Sequence, residues 1–321
     1  MQVGYKIATE GAGPKELVEL AVHAERAGFD FVELSDHFHP WLESQGHSPF
    51  TWTVLGSIAS STDRIGLATG VTCPTVRYHP AVIAQAAATT ALLSDGRFVL
   101  GVGSGERLNE HVVGTVFPAV KARHAMLREA LEIIRLLWQG GYQSYDGRYL
   151  QLEDARVFDL PDTLPLIAVA CSGRPSATLA AELGDGIFAT EADPEINALF
   201  EAAGGSGPRY AEVPMAWAET EQAAAASAWE TSRWALTGWK VMSELPNPVN
   251  FEAASQTVTL DDVRGQFACG PGLEDKVAKA RTYADAGFDH LVMQNVGPDQ
   301  HAFLDWASDG LLGAVRGLPG H

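Results

Sequence analysis

Phe29-Asp30-Phe31-Val32-Glu33-Leu34-Ser35-Asp36-His37-Phe38-His39-Pro40-Trp41 is the stretch on which the fold turns. Residues 29–35, with Phe29, Val32 and Leu34, read as a strand bound for a core. The strand gives way at once to a carboxylate, two imidazoles and an indole. That set packs a core poorly, but it can line a pocket that moves protons beside a flat ring. Sixty residues on the pattern returns. The apolar strand 97–102 is followed by Gly103-Ser104-Gly105-Glu106-Arg107-Leu108-Asn109-Glu110. Two polar clusters at strand C-terminal ends predict a (β/α)8 barrel enzyme whose chemistry sits on one face.

The rest of the chain alternates in the same way. Strands are predicted at 3–8, 29–35, 65–71, 98–102, 166–170, 187–189, 213–218 and 290–294. Helices are predicted at 14–28, 51–61, 80–94, 122–138, 176–183, 194–203, 221–241, 273–286 and 300–315. The first helix has Pro14 near its start, Gly28 as its stop, and Leu17, Val18, Ala21 and Ala24 on one face. The strands are apolar nearly throughout, as strands covered on both sides are. Alternation alone also fits an open doubly wound sheet. The turn after the first strand, Thr9-Glu10-Gly11-Ala12-Gly13-Pro14, lacks the GxGxxG spacing of a dinucleotide-binding fold, which favours the barrel. The whole chain, 1–321, is expected to be one barrel domain with insertions at about 140–163, a hairpin or long loop, and 243–257.

Composition narrows the function. Lys and Arg number 22 against 40 Asp and Glu, a formal charge of −18. That balance argues against nucleic acid and anionic membranes as partners. It says nothing against a small anionic ligand, which needs only a local donor pocket. Cys73, Cys171 and Cys269 cannot all pair and form no CxxC, which fits a reduced cytoplasmic setting. Lys6 and Glu10 precede any long apolar run, so no leader is expected, and no run is long enough to span a bilayer.

Each candidate residue has a plainer alternative. Asp36, His37, His39 and Trp41 read as an acid–base pocket, or as a surface loop with a packing indole. Metal binding is disfavoured, because neighbours on an extended chain point in opposite directions. Glu106 and Asn109 read as a second acid and an amide near the pocket. The plain alternative is a turn capped by Ser104 with Arg107 and Glu110 in solvent. In Ala168-Val169-Ala170-Cys171-Ser172-Gly173-Arg174-Pro175-Ser176, a strand ends in Ser-Gly before a helix, where free N–H groups favour an anion. The cysteines read as small buried hydrophobes, although Cys73 and Cys171 fall at strand ends and could touch a ligand. Trp217, Trp229, Trp234 and Trp239 read mainly as packing.

The motif from Ser35 to Trp41 resembles the luciferase-like TIM-barrel oxidoreductases, in the branch of the F420-dependent glucose-6-phosphate dehydrogenases. So do Gln45-Gly46-His47-Ser48-Pro49-Phe50, the stretch from Pro74 to Ala86, and Gly103 to Glu110. Gly184-Asp185-Gly186 and Gly287-Phe288-Asp289-His290-Leu291-Val292 extend the likeness, which fades between 190 and 265. The resemblance implies coenzyme F420, with FMN as the alternative of the monooxygenase branch. A cofactor-binding protein without turnover is the alternative outside enzymes. It further implies a homodimer acting on a small molecule. In residues, it implies that His37 exchanges a proton with the substrate, Trp41 flanks the cofactor ring and the developing charge, and Glu106 serves the cofactor-side proton. Asp36, Cys73, Gly103, Ser104, Asn109, Cys171, Ser172 and Gly173 would bind the cofactor. Gly70–Val71 would be a cis bulge against its ring. His39, Thr190 and Asp193 would border the substrate. The departures are specific. Where the sugar-phosphate enzymes carry basic residues, this chain has Asp193, Ala253 and about Gln266, and His39 replaces a glutamine. A dianionic phosphate beside Asp193 is repelled, so the expected substrate is an alcohol, carbonyl or activated alkene without phosphate.

Overall fold

The computed structural model describes residues 1–319. Their strands are β1 Gln2–Ile7, β2 Phe31–Leu34, β3 Gly66–Thr69, β4 Phe98–Val102, β5 Gln143–Asp146, β6 Gln151–Ala155, β7 Leu166–Ala170, β8 Gly186–Ala189, β9 Arg209–Ala216, β10 Ala268–Cys269 and β11 His290–Asn295. Eight of them close into a parallel barrel in the order β1-β2-β3-β4-β7-β8-β9-β11, with β11 returning to β1. The predicted (β/α)8 architecture is therefore the observed one.

Side-chain alternation explains the barrel's two surfaces. Val3, Tyr5 and Ile7 of β1 point outward into the helix layer with Leu17, Leu20 and Ala24. Phe31, Ala168, Phe188, Tyr210 and Val292 fill the interior, with Phe188 and Tyr210 stacked at 5.2 Å. Lys6 also lies buried, its Nζ bound to Glu33, to Glu212 at 2.9 Å and to the Gly70 carbonyl at 2.8 Å. Burial opposes its charge, but Glu212 and Glu33 outweigh that and keep the lysine protonated. Removing one partner of such a buried group costs about 3–5 kcal/mol.

The first half follows the predicted elements closely, and the second half departs from them. Residues 140–163 contain the antiparallel hairpin β5–β6. The predicted helix 221–241 is three pieces: Glu221–Ser232, a 3₁₀ turn Arg233–Thr237, and Trp239–Met242. The first break follows Ser232, whose φ of −137° leaves the helical region, and the second falls at Gly238, whose φ of +80° no α-helix accommodates. The insertion 243–257 holds the helix Pro248–Ala254, started by the Asn247 cap and Pro248. The unassigned stretch after it contains the helix Leu260–Gln266, opened by a Thr259–Asp262 capping box. These helices are short, so their caps, rather than apolar periodicity, were the readable signal.

Candidate active site

The C-terminal ends of β1 to β4 bring the first two motifs together. β2 delivers Asp36, His37 and Trp41 to the barrel mouth. The loop after β4 brings Glu106 and Asn109 against them. Asn109 is fully buried and joins the two loops. Its Oδ1 accepts the Phe38 N–H at 2.7 Å and the His39 N–H at 3.1 Å, while its Nδ2 donates to Glu106. The amide assigned to the cofactor is thus engaged at both ends within the protein.

His37 is the centre of the cluster. Its Nδ1 is paired with Glu10, a buried carboxylate at the end of β1. Burial opposes charge on the imidazole, but Glu10, and more weakly Glu106, outweigh it and lift His37 above its ordinary range. The same pairing, helped by Lys6, holds Glu10 below its ordinary range against the effect of burial. Because Nδ1 faces Glu10, Nε2 is the atom left for exchange with a ligand. Trp41 meets the imidazole edge to face at 5.0 Å.

Asp36 is buried and accepts from Thr72 Oγ1 at 2.7 Å, Tyr78 OH at 3.0 Å and Arg77 at 3.1 Å. Arg77 also approaches Glu110, whose Oε2 accepts the Arg77 N–H at 2.8 Å. Glu110 is therefore not the solvated residue of the plain reading. It is fully buried, and burial together with Glu106 pushes its carboxyl up to about 7. Ser104 does not cap the short helix Arg107–Glu110 either; Glu106 occupies the cap position.

The third motif lies across the barrel mouth. The Gly70–Val71 bond is cis. A Cβ on Gly103 would meet Val71 at 2.7 Å, Cys73 at 3.6 Å and Ala170 at 3.7 Å, so these small groups form one floor. Ser172 and Gly173 lead into the helix Arg174–Leu183, which has no side-chain cap. The Ser172 N–H donates to Ser176 Oγ at 3.1 Å, and no atom would lie within 4 Å of a Cβ on Gly173. A flat floor beside an open helix N-terminus fits a planar ring that carries a phosphate. Burial pushes the Cys171 thiol up to about 12, and burial with Glu106 and Glu110 raises Cys73, so both stay thiols.

The substrate-side residues are more dispersed. His39 holds the Leu108 carbonyl through Nδ1 at 3.1 Å. Thr190 is exposed just past β8, and its carbonyl accepts from Tyr283 OH at 3.2 Å. Asp193 caps the helix Pro194–Ala202, accepting the Glu195 N–H at 2.9 Å. Ala253 and Gln266 are exposed. Among the described residues, no group of three or more His, Cys, Asp or Glu side chains could hold a metal.

Two participants escaped the sequence reading. Glu10 lay in a turn scanned for phosphate-binding glycines, yet a carboxylate at a barrel strand's C-terminal end was itself the signal. Trp234, read as packing, stacks on Trp41 at 4.1 Å with 10° between the planes. Nothing local in the sequence announces that contact.

A closed parallel barrel with a cluster of buried titratable side chains at its strand ends defines an enzyme of the TIM-barrel class. The luciferase-like monooxygenase family model matches residues 1–290, and the chain belongs to that family. It is 35% identical, over 99% of both chains, to the F420-dependent glucose-6-phosphate dehydrogenase of Amycolatopsis mediterranei (strain U-32). It is 36% identical, again over 99% of each, to the enzyme of that name from Mycobacterium avium (strain 104). Among solved structures, an F420-dependent secondary alcohol dehydrogenase in complex with an F420-acetone adduct superposes with a TM-score of 0.91. That match has 27% identity and covers 98% of this chain and 99% of the other.

Proposed function

We propose that this protein is a coenzyme F420-dependent oxidoreductase acting on an alcohol or carbonyl substrate that carries no phosphate. The observation that carries the reading is the His37–Glu10 pair set beside Trp41 and locked to Glu106 through Asn109. When bound, the coenzyme supplies the hydride acceptor or donor. Val71, Cys73, Gly103 and Ala170 would hold its ring, and Ser172 and Gly173, before the uncapped helix Arg174–Leu183, would hold its phosphate. As the imidazolium, His37 donates a proton from Nε2 to a carbonyl oxygen. In the other direction the neutral imidazole takes the hydroxyl proton, and Glu10 stabilises the cation that results. Glu106 serves the cofactor-side proton.

Two features support a substrate without phosphate. Asp193 stands where the family resemblance implies a lysine in the sugar-phosphate enzymes, and its carboxylate is committed to a helix cap. Ala253 and Gln266, at the other positions for which the resemblance implies basic residues, bring no charge. We read the chain as a cytoplasmic homodimer, in keeping with its three free cysteines; light scattering at twice 34.3 kDa checks the dimer.

The test is a fluorescence titration with F420 and FMN, followed by steady-state assays. F420 is expected to saturate the protein and FMN to bind weakly. Turnover is expected with 2-propanol or cyclohexanol and not usefully with glucose 6-phosphate. Stoichiometric FMN in the purified protein, or indifference to F420, sinks the cofactor assignment. Brisk glucose 6-phosphate oxidation sinks the substrate assignment.

A further inference from the structure

We propose that Trp234 is a positioning residue for the proton-transfer site: by stacking on Trp41 it fixes the indole that shields His37. The inference rests on the role proposed above for His37. Trp234 comes from the 3₁₀ turn Arg233–Thr237, part of a strap that runs from the end of β9 over the barrel mouth. The strap is pinned to both catalytic loops. The Arg107 N–H donates to the Ser243 carbonyl at 2.9 Å, and Ser44 Oγ donates to the Glu230 carbonyl at 3.0 Å. Phe251 meets Trp41 edge-on at 5.1 Å, and Leu42, Leu108 and Met242 complete an apolar seam. Within that seam the only large flat surface laid face to face on Trp41 is the Trp234 ring, at 4.1 Å. Its own orientation is set by the Nε1–H bond to the Thr231 carbonyl at 3.1 Å.

The chain of effects is short. Trp41 is 7% exposed and touches the imidazole at 5.0 Å. Its bulk keeps water from the imidazolium–carboxylate pair, where a low dielectric strengthens the attraction to Glu10. Without the stacking face, Trp41 gains rotameric freedom and water reaches the pair. The His37 titration then moves down toward that of an ordinary imidazole. The hydrogen bonds of Asp36 run to Thr72, Arg77 and Tyr78, and that of the Ser172 N–H to Ser176, so cofactor affinity should change little.

The experiment needs no substrate. Two indoles stacked this closely give an exciton couplet in far-ultraviolet circular dichroism. Trp217 and Trp306 form a second close pair at 5.8 Å, so the couplet of the Trp41–Trp234 pair is read as the wild-type minus Trp41→Phe difference, and that component is expected to be lost in Trp234→Ala. The His37 resonance, assigned by its loss in His37→Ala, is titrated by NMR. In Trp234→Ala its midpoint is expected to fall by about half a pH unit or more, and in Trp234→Phe to return most of the way. F420 affinity of Trp234→Ala is expected to stay within about twofold. If Trp234→Ala does not fold, Trp234→Leu keeps an apolar side chain without a stacking face and gives the same readout. A His37 midpoint unmoved by loss of the couplet overturns the inference, and so does a couplet that survives Trp234→Ala. Loss of F420 binding in Trp234→Ala overturns it too, by making Trp234 part of the cofactor site. A wild type that ignores F420 breaks the functional reading instead, and leaves the titration of His37 to decide this one.

Discussion

The loops after β1 to β4 and those after β7 to β11 build the same barrel mouth from different materials. The first set contributes the buried carboxylates Glu10, Asp36 and Glu110, tied to His37 or Arg77, and Glu106, tied to Asn109. The second set contributes a small-residue floor at Cys171 to Gly173, a helix cap at Asp193 and an aromatic strap through Trp234 and Phe251. Interlocked charge tolerates little substitution, because losing one partner strands another. Apolar packing against a mouth tolerates more. On the function proposed above, the first half would carry the chemistry and the second the choice of substrate.

The sharpest way to break that division is His37→Ala. Turnover should fall by roughly 10²–10⁴-fold, with F420 affinity little changed. A mild effect on turnover, or a lost cofactor, would show that the imidazole is a clamp. Glu10→Gln should cost less, about 10–100-fold, the range seen when a carboxylate that orients a metal-bound histidine is lost. It should also move the His37-dependent limb of the pH–rate profile to lower pH. Its stability signature has a definite sign. His37 is raised from 6.5, so its share is complete below 6.5 and is lost as pH climbs through the raised value. Glu10 is lowered from 4.5, so its share is complete above 4.5 and is lost as pH falls through the lowered value. The melting-temperature gap between wild type and Glu10→Gln should therefore peak between pH 4.5 and 6.5. A gap that widens above that window contradicts the pairing.

The second half should respond in stability more than in rate. Asp193→Ala should cost about 1 kcal/mol in urea unfolding, the usual worth of a helix cap. A tenfold change in turnover would instead put Asp193 against the substrate. The smallest effect is expected at the boundary of the two halves. His39→Gln keeps an N–H donor for the Leu108 carbonyl and should alter KM by a few-fold with kcat nearly intact. If it abolishes turnover while His37→Ala does not, the proton-transfer role belongs to His39.

The same division governs what could be read in advance. The eight barrel strands were legible because apolar runs covered on both faces are distinctive. Asp36, His37, Trp41 and Glu106 were legible because polar residues directly after such runs are conspicuous. Lys6, Glu33 and Glu212 were not, since a single charge within an apolar strand shows no partner until the barrel closes. The strap was illegible for a different reason. Its helices, such as Pro248–Ala254, are too short for a period to emerge, and the Trp41–Trp234 contact joins residues far apart in the chain.

Asn109 carries one last consequence. A single three-atom amide holds Phe38 and His39 on one side and Glu106 on the other. It works as a gauge block: the span between the loop after β2 and the loop after β4 is machined by one side chain, and neither loop can drift without dragging its opposite number.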